Sequence, residues 1–259
     1  MTAPPLDLWR GSAAFASAFA AGAVNSVAGG GTLLSFPTLI WLGLDSVIAN
    51  ATSTVGIWPG QLGGVIGYRK ELRRTEPRFR VLIAPSLIGG LIGALLLRWT
   101  PSKTFDEMVP YLILFATLLF MAQETVQRML GTGDGRRHDS AKWLAGACLF
   151  QFGVGIYGGY FGAGIGILML AALSILGLKD IHEMNSLKAV FGGSMNGVAA
   201  LYFAWSGMVY WPYVLVMAAG AIAGGYGGAG MARKLGKRTV RVIVILVGFG
   251  MAISLFLRS

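Results

Sequence analysis

AGAVNSVAGGGTLLSFPTLIWLGLDSVIANATS, from Ala21 to Ser53, decides how the rest of the chain is read. An apolar run meets Asn25 and then three consecutive glycines, Gly29, Gly30 and Gly31, resumes to Gly43, and restarts around Asn50, Thr52 and Ser53. A hydrophobic helix interrupted in this way leaves backbone N–H and C=O groups unpaired. Lipid cannot satisfy them, so such a break survives only where protein buries it or a polar cavity borders it. The stretch predicts a binding site at membrane depth.

The pattern recurs in the second half. Gly162, Gly164 and Gly166 follow an apolar run, a further run leads to Gly177 and Leu178, and Asn185, Ser186, Leu187 and Lys188 open the next long segment. Alignment of Gly43 with Gly177 brings Gly30 onto Gly164, and a one-residue gap puts Asn50 on Asn185. Matched interruptions in two halves point to a transporter's site. Glycine repeats that only let helices pack closely are the competing explanation; the paired asparagines weigh against it.

The chain is 55% hydrophobic and 12% charged, with mean hydropathy +0.66. Soluble domains carry about a quarter charged residues, so the composition is that of an integral membrane protein. The net charge of +10 lies in short loops between apolar segments, which orients a chain in a bilayer and excludes a nucleic-acid face. The one cysteine, Cys148, stands in an apolar run, so neither a disulfide framework nor a Cys-based metal site is implied. No cofactor is implied either. Ala18-Phe19-Ala20-Ala21 has the look of a signal-peptide cleavage region, but the run continues straight into the glycine break.

Segments able to cross about 30 Å of hydrocarbon fall at Val47 to Tyr68, Arg80 to Leu97, Val109 to Met129, His182 to Ala204, Tyr210 to Met231 and Val240 to Leu257. Two further apolar blocks, Ser12 to Gly43 and Lys142 to Gly177, are too long for one span, and glycines cut each of them. Each is a re-entrant hairpin or a pair of short spans. Basic residues cluster after the first, third and fifth conventional spans, at Arg69 to Arg80, Arg128 to Lys142 and Arg233 to Arg241. Those loops are cytoplasmic by the positive-inside rule. The loops near Lys103 and Ser206 face out, and parity makes each broken block start and end on one side. Asp45 and both termini then lie outside, and Lys179 lies inside.

The expected architecture is an all-α integral membrane protein of two inverted repeats, each a glycine-broken re-entrant helical block plus three transmembrane helices. The first repeat covers residues 1–130, a cytoplasmic linker 131–141, and the second repeat 142–259. The two breaks meet near the midplane, an arrangement that supports alternating access.

A helix that restarts inside the membrane offers free N–H groups and a partial positive charge, which together bind anions. The candidate substrate-binding residues gather there: Asn25, Gly29, Gly30, Gly31, Thr32, Asn50, Thr52 and Ser53 in the first half, and Tyr160, Gly164, Asn185, Ser186 and Lys188 in the second. Ser35 is a further polar residue beside them, and Gln61 and Asn196 lie further along corresponding spans. Lys188 is about 9 Å into its span, where a cation is rare and usually functional. The alternative is a lysine that snorkels to the inner interface. No Asp or Glu occupies a span centre, so a bound anion would supply the missing charge.

Asn25-Ser26-Val27-Ala28-Gly29-Gly30-Gly31-Thr32-Leu33-Leu34-Ser35-Phe36-Pro37, followed by Ala49-Asn50-Ala51-Thr52-Ser53, resembles the TauE/SafE family of sulfite and organosulfonate exporters over nearly the whole chain. The resemblance implies a permease of a bacterial inner membrane. Its substrate would be a small sulfur-containing anion such as sulfite, sulfoacetate or a related sulfonate. The second-half motif departs from the pattern, with Leu187-Lys188 where the first half has Thr52-Ser53, so the half-sites are chemically unequal. An anion channel or an importer shares every one of these features. An intramembrane enzyme does not: Ser194 is the nearest candidate nucleophile, but His138 falls in the linker and His182 at a helix end. Direction, coupling ion and oligomeric state have no sequence signal.

Overall fold

The computed structural model describes residues 4–27, 30–67, 72, 77–131, 141–175, 178, 181–228 and 237–257. The expected linker, Gly29 and Lys179 thus fall outside the described residues, apart from the helix ends at Gly131 and Ala141. The described residues form ten α-helices. They are α1 (Leu8–Val27), α2 (Thr32–Trp41), α3 (Ser46–Gly67), α4 (Ile83–Trp99, entered through a 3-10 turn), α5 (Ser102–Gly131), α6 (Ala141–Tyr160), α7 (Ile165–Ile175), α8 (Ile181–Trp205), α9 (Trp211–Ala223, continued as a π turn to Gly228) and α10 (Lys237–Phe256).

The described residues of every expected span are helical apart from Tyr210 and Leu257 at the ends, and each broken block is a long helix followed by a short one. At 1.5 Å per residue the 10 residues of α2 and the 11 of α7 reach only about half of a hydrocarbon core. The first block is a hairpin, because Trp9 at the start of α1 meets Trp41 at the end of α2, ring centroids 6.1 Å apart. At its tip Gly30 has φ +93°, a conformation that side chains with a Cβ resist. The Gly31 N–H donates to Asn25 Oδ1 at 2.8 Å, so a side chain takes up a donor that the break released. The second break has Gly162 and Gly164 at φ +77° and +78°. There the Tyr157 hydroxyl donates to the Ala163 carbonyl at 2.8 Å.

Helix directions can be read from close approaches. Gly220 and Gly224 of α9 lie against Phe15 and Phe19 of α1, and Gly56 and Gly60 of α3 lie against Met217 and Ala221 of α9. These three helices run parallel. Gly89 and Gly93 of α4 meet Gly155 and Tyr160 of α6, so this pair is parallel too. Thr117 of α5 touches Gly248 of α10, while Tyr111 stacks edge-on against Phe256 at 5.1 Å. The Arg241 guanidinium donates to the Met121 carbonyl further along, which makes α5 and α10 antiparallel. Asp45, whose carboxylate accepts the Val47 N–H at the start of α3, also accepts from Ser102 at the start of α5. The starts of α1, α3, α5 and α9 and the ends of α2, α4, α8 and α10 therefore share one face, the upper face.

Large apolar side chains point outward all round the bundle, among them Ile88, Tyr111, Leu149, Leu201, Leu215 and Leu246, each more than half exposed. Soluble monomers rarely carry so much exposed apolar surface; lipid is the solvent that suits it. Phe79–Trp99 and Ser102–Ala122 are long and apolar enough to cross a bilayer by length and composition. The helices α3 and α8 are comparably long, but Asn50, Thr52, Ser53 and Gln61 on one, and Asn185, Ser186, Lys188 and Asn196 on the other, lower their hydropathy. These two helices pack directly on each other, and the polar residues mark where they turn inward.

Candidate functional site

A cavity of about 100 Å³ lies between the two breaks and the inner helices α3 and α8. A volume of this size holds several waters or a small anion. Asn25, Gly30 and Thr32 border it from the first break, Gly162, Ile165, Gly166 and Met169 from the second. Gln61 on α3 and Asn185, Lys188, Ala189, Gly192, Gly193 and Asn196 on α8 complete the wall. The α8 residues recur at helical spacing along one face, from Asn185 near the start of the helix to Asn196 about 16 Å deeper. The cavity thus occupies the lower half of the bundle, where α8 begins.

Its chemistry is one-signed. The starts of both short helices, at Thr32 and at Ile165 and Gly166, border the cavity, and a helix start carries partial positive charge with free N–H groups. Lys188 adds a basic side chain that, among the described residues, makes no hydrogen bond or ion pair. Gly166 leaves room for its stem: a Cβ there would stand 3.2 Å from Lys188 Cδ. Among the described residues, no carboxylate borders the cavity. Asn25 accepts from Gly31 with its carbonyl oxygen, and among the described residues its NH2 group makes no hydrogen bond.

Of the thirteen residues read from sequence, Gly29 lies outside the described residues and the other twelve separate. Asn25, Gly30, Thr32, Asn185 and Lys188 line the cavity. Gly31 is packed against Ala21 and shapes the turn; Gly164 supplies the left-handed backbone of the second break. Ser186 donates to the Glu183 carbonyl within its own helix at 2.7 Å. The other four close the upper half. Asn50, 1% exposed, donates to the Tyr160 carbonyl at 2.7 Å. Thr52 Oγ1 accepts the Tyr210 N–H at 3.0 Å. The Ser53 and Ser35 hydroxyls are 2.7 Å apart. Tyr160 stacks on Phe105, and Phe105 and Phe161 both stack on Phe36. Polar residues at equivalent sequence positions thus border a cavity below and form a seal above.

Gln61 and Asn196 were recognised in the sequence as corresponding polar residues and were not placed at the site. The structure puts both on the cavity wall, joined by a 3.0 Å hydrogen bond from Asn196 Nδ2 to Gln61 Oε1. Their spacing, the same as that from Asn50 to Asn185, was the available signal. Nothing in the sequence distinguished Met169, Gly192 or Gly193 from ordinary packing residues.

A helical bundle with a lipid-facing exterior and a polar, ligand-sized cavity between broken helices has the form of a membrane transporter. Comparison with known proteins carries this further: the profile of the family described as "Sulfite exporter TauE/SafE" matches residues 14–255. The chain belongs to the TauE/SafE family. Among its relatives, a probable membrane transporter protein of Haemophilus influenzae is 29% identical over 92% of this chain and 91% of its own length. The probable membrane transporter protein YfcA of Escherichia coli K12 is 26% identical over 95% and 89%. The probable membrane transporter protein ORF9 of Sinorhizobium is 24% identical over 93% and 90%. No solved structure matches the chain.

Proposed function

We propose that this protein is a secondary transporter that exports a small sulfur-containing anion, sulfoacetate, another sulfonate or sulfite, across a bacterial inner membrane by alternating access. The observation that carries the reading is the cavity with two helix starts, where among the described residues Lys188 is unpaired and no carboxylate lines the wall. Such a site attracts one negative group and offers a cation no counter-charge. The family's description supplies the sulfur oxyanion.

Alternating access rests on the inverted repeats, α1–α5 and α6–α10, in residues 1–130 and 142–259. Exchanging one set for the other turns the packing of α1 on α9 into that of α6 on α4, α3 on α9 into α8 on α4, and α2 on α10 into α7 on α5. The α3–α8 and α5–α10 pairs map onto themselves. Sidedness has its own support. The expected cytoplasmic loops follow α3, α5 and α9, which all end on the lower face. Trp9, Trp41, Trp99, Trp205 and Trp211, each at least half exposed, all sit at helix ends on the upper face. Tryptophans at one level mark a membrane interface. With the basic loops inside, the cavity lies in the cytoplasmic half and the seal above it is external.

A titration of the purified protein with sulfite, sulfoacetate, taurine, sulfate and acetate tests the substrate class. Sulfite or sulfonate should bind more tightly than acetate; equal binding of all anions, or none, would refute the assignment. The outer seal favours a carrier over a channel. Counterflow of labelled substrate in proteoliposomes should occur, since a channel cannot sustain it.

A further inference from the structure

The geometry points to Gln61 and Asn196 as the substrate-positioning pair, placed on the axis that relates the two halves and shared by both access states. This deepens the transporter reading and rests on it.

The two amides are 135 residues apart in sequence, as are Trp58 and Gly193, and both pairs touch. Asn196 Nδ2 is 3.0 Å from Gln61 Oε1, and Trp58 Nε1 is 3.0 Å from the Gly193 carbonyl. The same interval carries Asn50 onto Asn185. When a two-fold operation carries residue i onto its mate, each lies from the axis at half the distance between them. Direct contact between mates therefore occurs only at the axis. Asn50 and Asn185 are in a different position, one in the external seal and one on the cavity wall.

A ligand that passes between two mirror-related half-sites leaves the groups of one as it meets those of the other. Lys188 belongs to one half-site, because its mate at the same interval is Ser53, a hydroxyl held by Ser35. Groups on the axis keep the same relation to both. Gln61 and Asn196 are such groups, and they are already open to the cavity. Their mutual hydrogen bond uses one N–H of Asn196 and one lone pair of Gln61. Among the described residues, both N–H groups of Gln61 and the second of Asn196 make no other hydrogen bond, which leaves them for an oxyanion. The lysine would hold the charge, and the amides would fix where the oxyanion sits while the halves exchange.

Gln61→Glu separates positioning from a merely structural role. A glutamate oxygen accepts the Asn196 N–H as well as the glutamine oxygen does, so the interhelical bond and the fold survive. The two donors aimed at the ligand are replaced by a carboxylate oxygen. At pH 8, affinity for sulfite and sulfoacetate should fall by about tenfold or more, the scale of lost charge-assisted hydrogen bonds, with the melting temperature of the ligand-free protein unchanged. Gln61→Met, of similar length and without either polar atom, should also lose affinity at equal folded concentration. The exchanged pair, Gln61→Asn with Asn196→Gln, should recover part of it. Wild-type affinity in both Gln61→Glu and Gln61→Met would overturn the inference while leaving the transporter reading in place. A wild-type protein that binds neither probe would overturn both.

Discussion

Lys188 is the residue on which the anion reading can be tested most sharply. Its ammonium borders a cavity without carboxylates, and Gly166 clears a path for its stem. Lys188→Ala removes a charge-assisted hydrogen bond, a class worth about 1.5–3 kcal/mol, so affinity should drop roughly 10- to 150-fold at 1.4 kcal/mol per decade. Lys188→Arg keeps the charge, but the planar guanidinium is wider than an ammonium and the stem already runs close to Gly166, so recovery should be partial. The check is equilibrium binding of sulfoacetate to the three proteins at equal folded concentration. A snorkelling lysine would keep its head in interfacial water, and alanine would then leave affinity unchanged. Sequence reasoning found this residue because a cation that deep in an apolar helix has few explanations. It did not find that Gln61 and Asn196 share the cavity, since that depends on how α3 and α8 cross.

The glycine breaks belong to the scale of the element. Both were legible, because a run of glycines between two apolar segments has no use inside an uninterrupted membrane helix. Their consequences differ in a way that only the geometry reveals. At Gly30 a Cβ would meet the Phe120 ring at 2.9 Å in addition to the strain of φ +93°. At Gly164 the nearest heavy atom, the Ala116 carbonyl oxygen, would be 3.5 Å away, so the strain of φ +78° acts alone. A non-glycine residue held in such a conformation costs about 1–3 kcal/mol. Gly30→Val and Gly164→Val should both abolish transport while the protein remains in the membrane. Gly164→Ala should be milder than Gly30→Ala. Uptake and counterflow assays on membrane-inserted protein check this; normal transport in both valine variants would detach the breaks from the site. The sequence also assigned Asn50, Thr52 and Ser53 to substrate along with Asn185 and Lys188. Composition cannot tell a lined cavity from a closed one, because both are built from the same small polar residues. Only the pairing of Ser35 with Ser53 and of Thr52 with Tyr210 distinguishes them.

At the scale of the whole molecule, helix directions follow from the contacts and short connections between helices, whereas the proposed cytoplasmic face follows from loop charge. The two arguments are independent and can be tested together. The contacts place Asp45, which bonds to Ser102, on the same face as the turn at Ser206 between α8 and α9, and place the start of α10 at Lys237 on the opposite face. Loop charge is the ground for proposing that the first face is external. Cys148 is the protein's one cysteine, so Cys148→Ala provides a background for single cysteines at positions 45, 206 and 237. A membrane-impermeant maleimide applied to intact cells stripped of their outer membrane should label the first two. It should reach the third only after the inner membrane is permeabilised. Labelling of all three from one side would refute the helix directions and the inverted repeat with them. The reverse pattern, with position 237 reached first, would leave the repeat standing, move the cavity to the external half, and turn the seal formed by Asn50, Thr52 and Tyr160 into the inner gate.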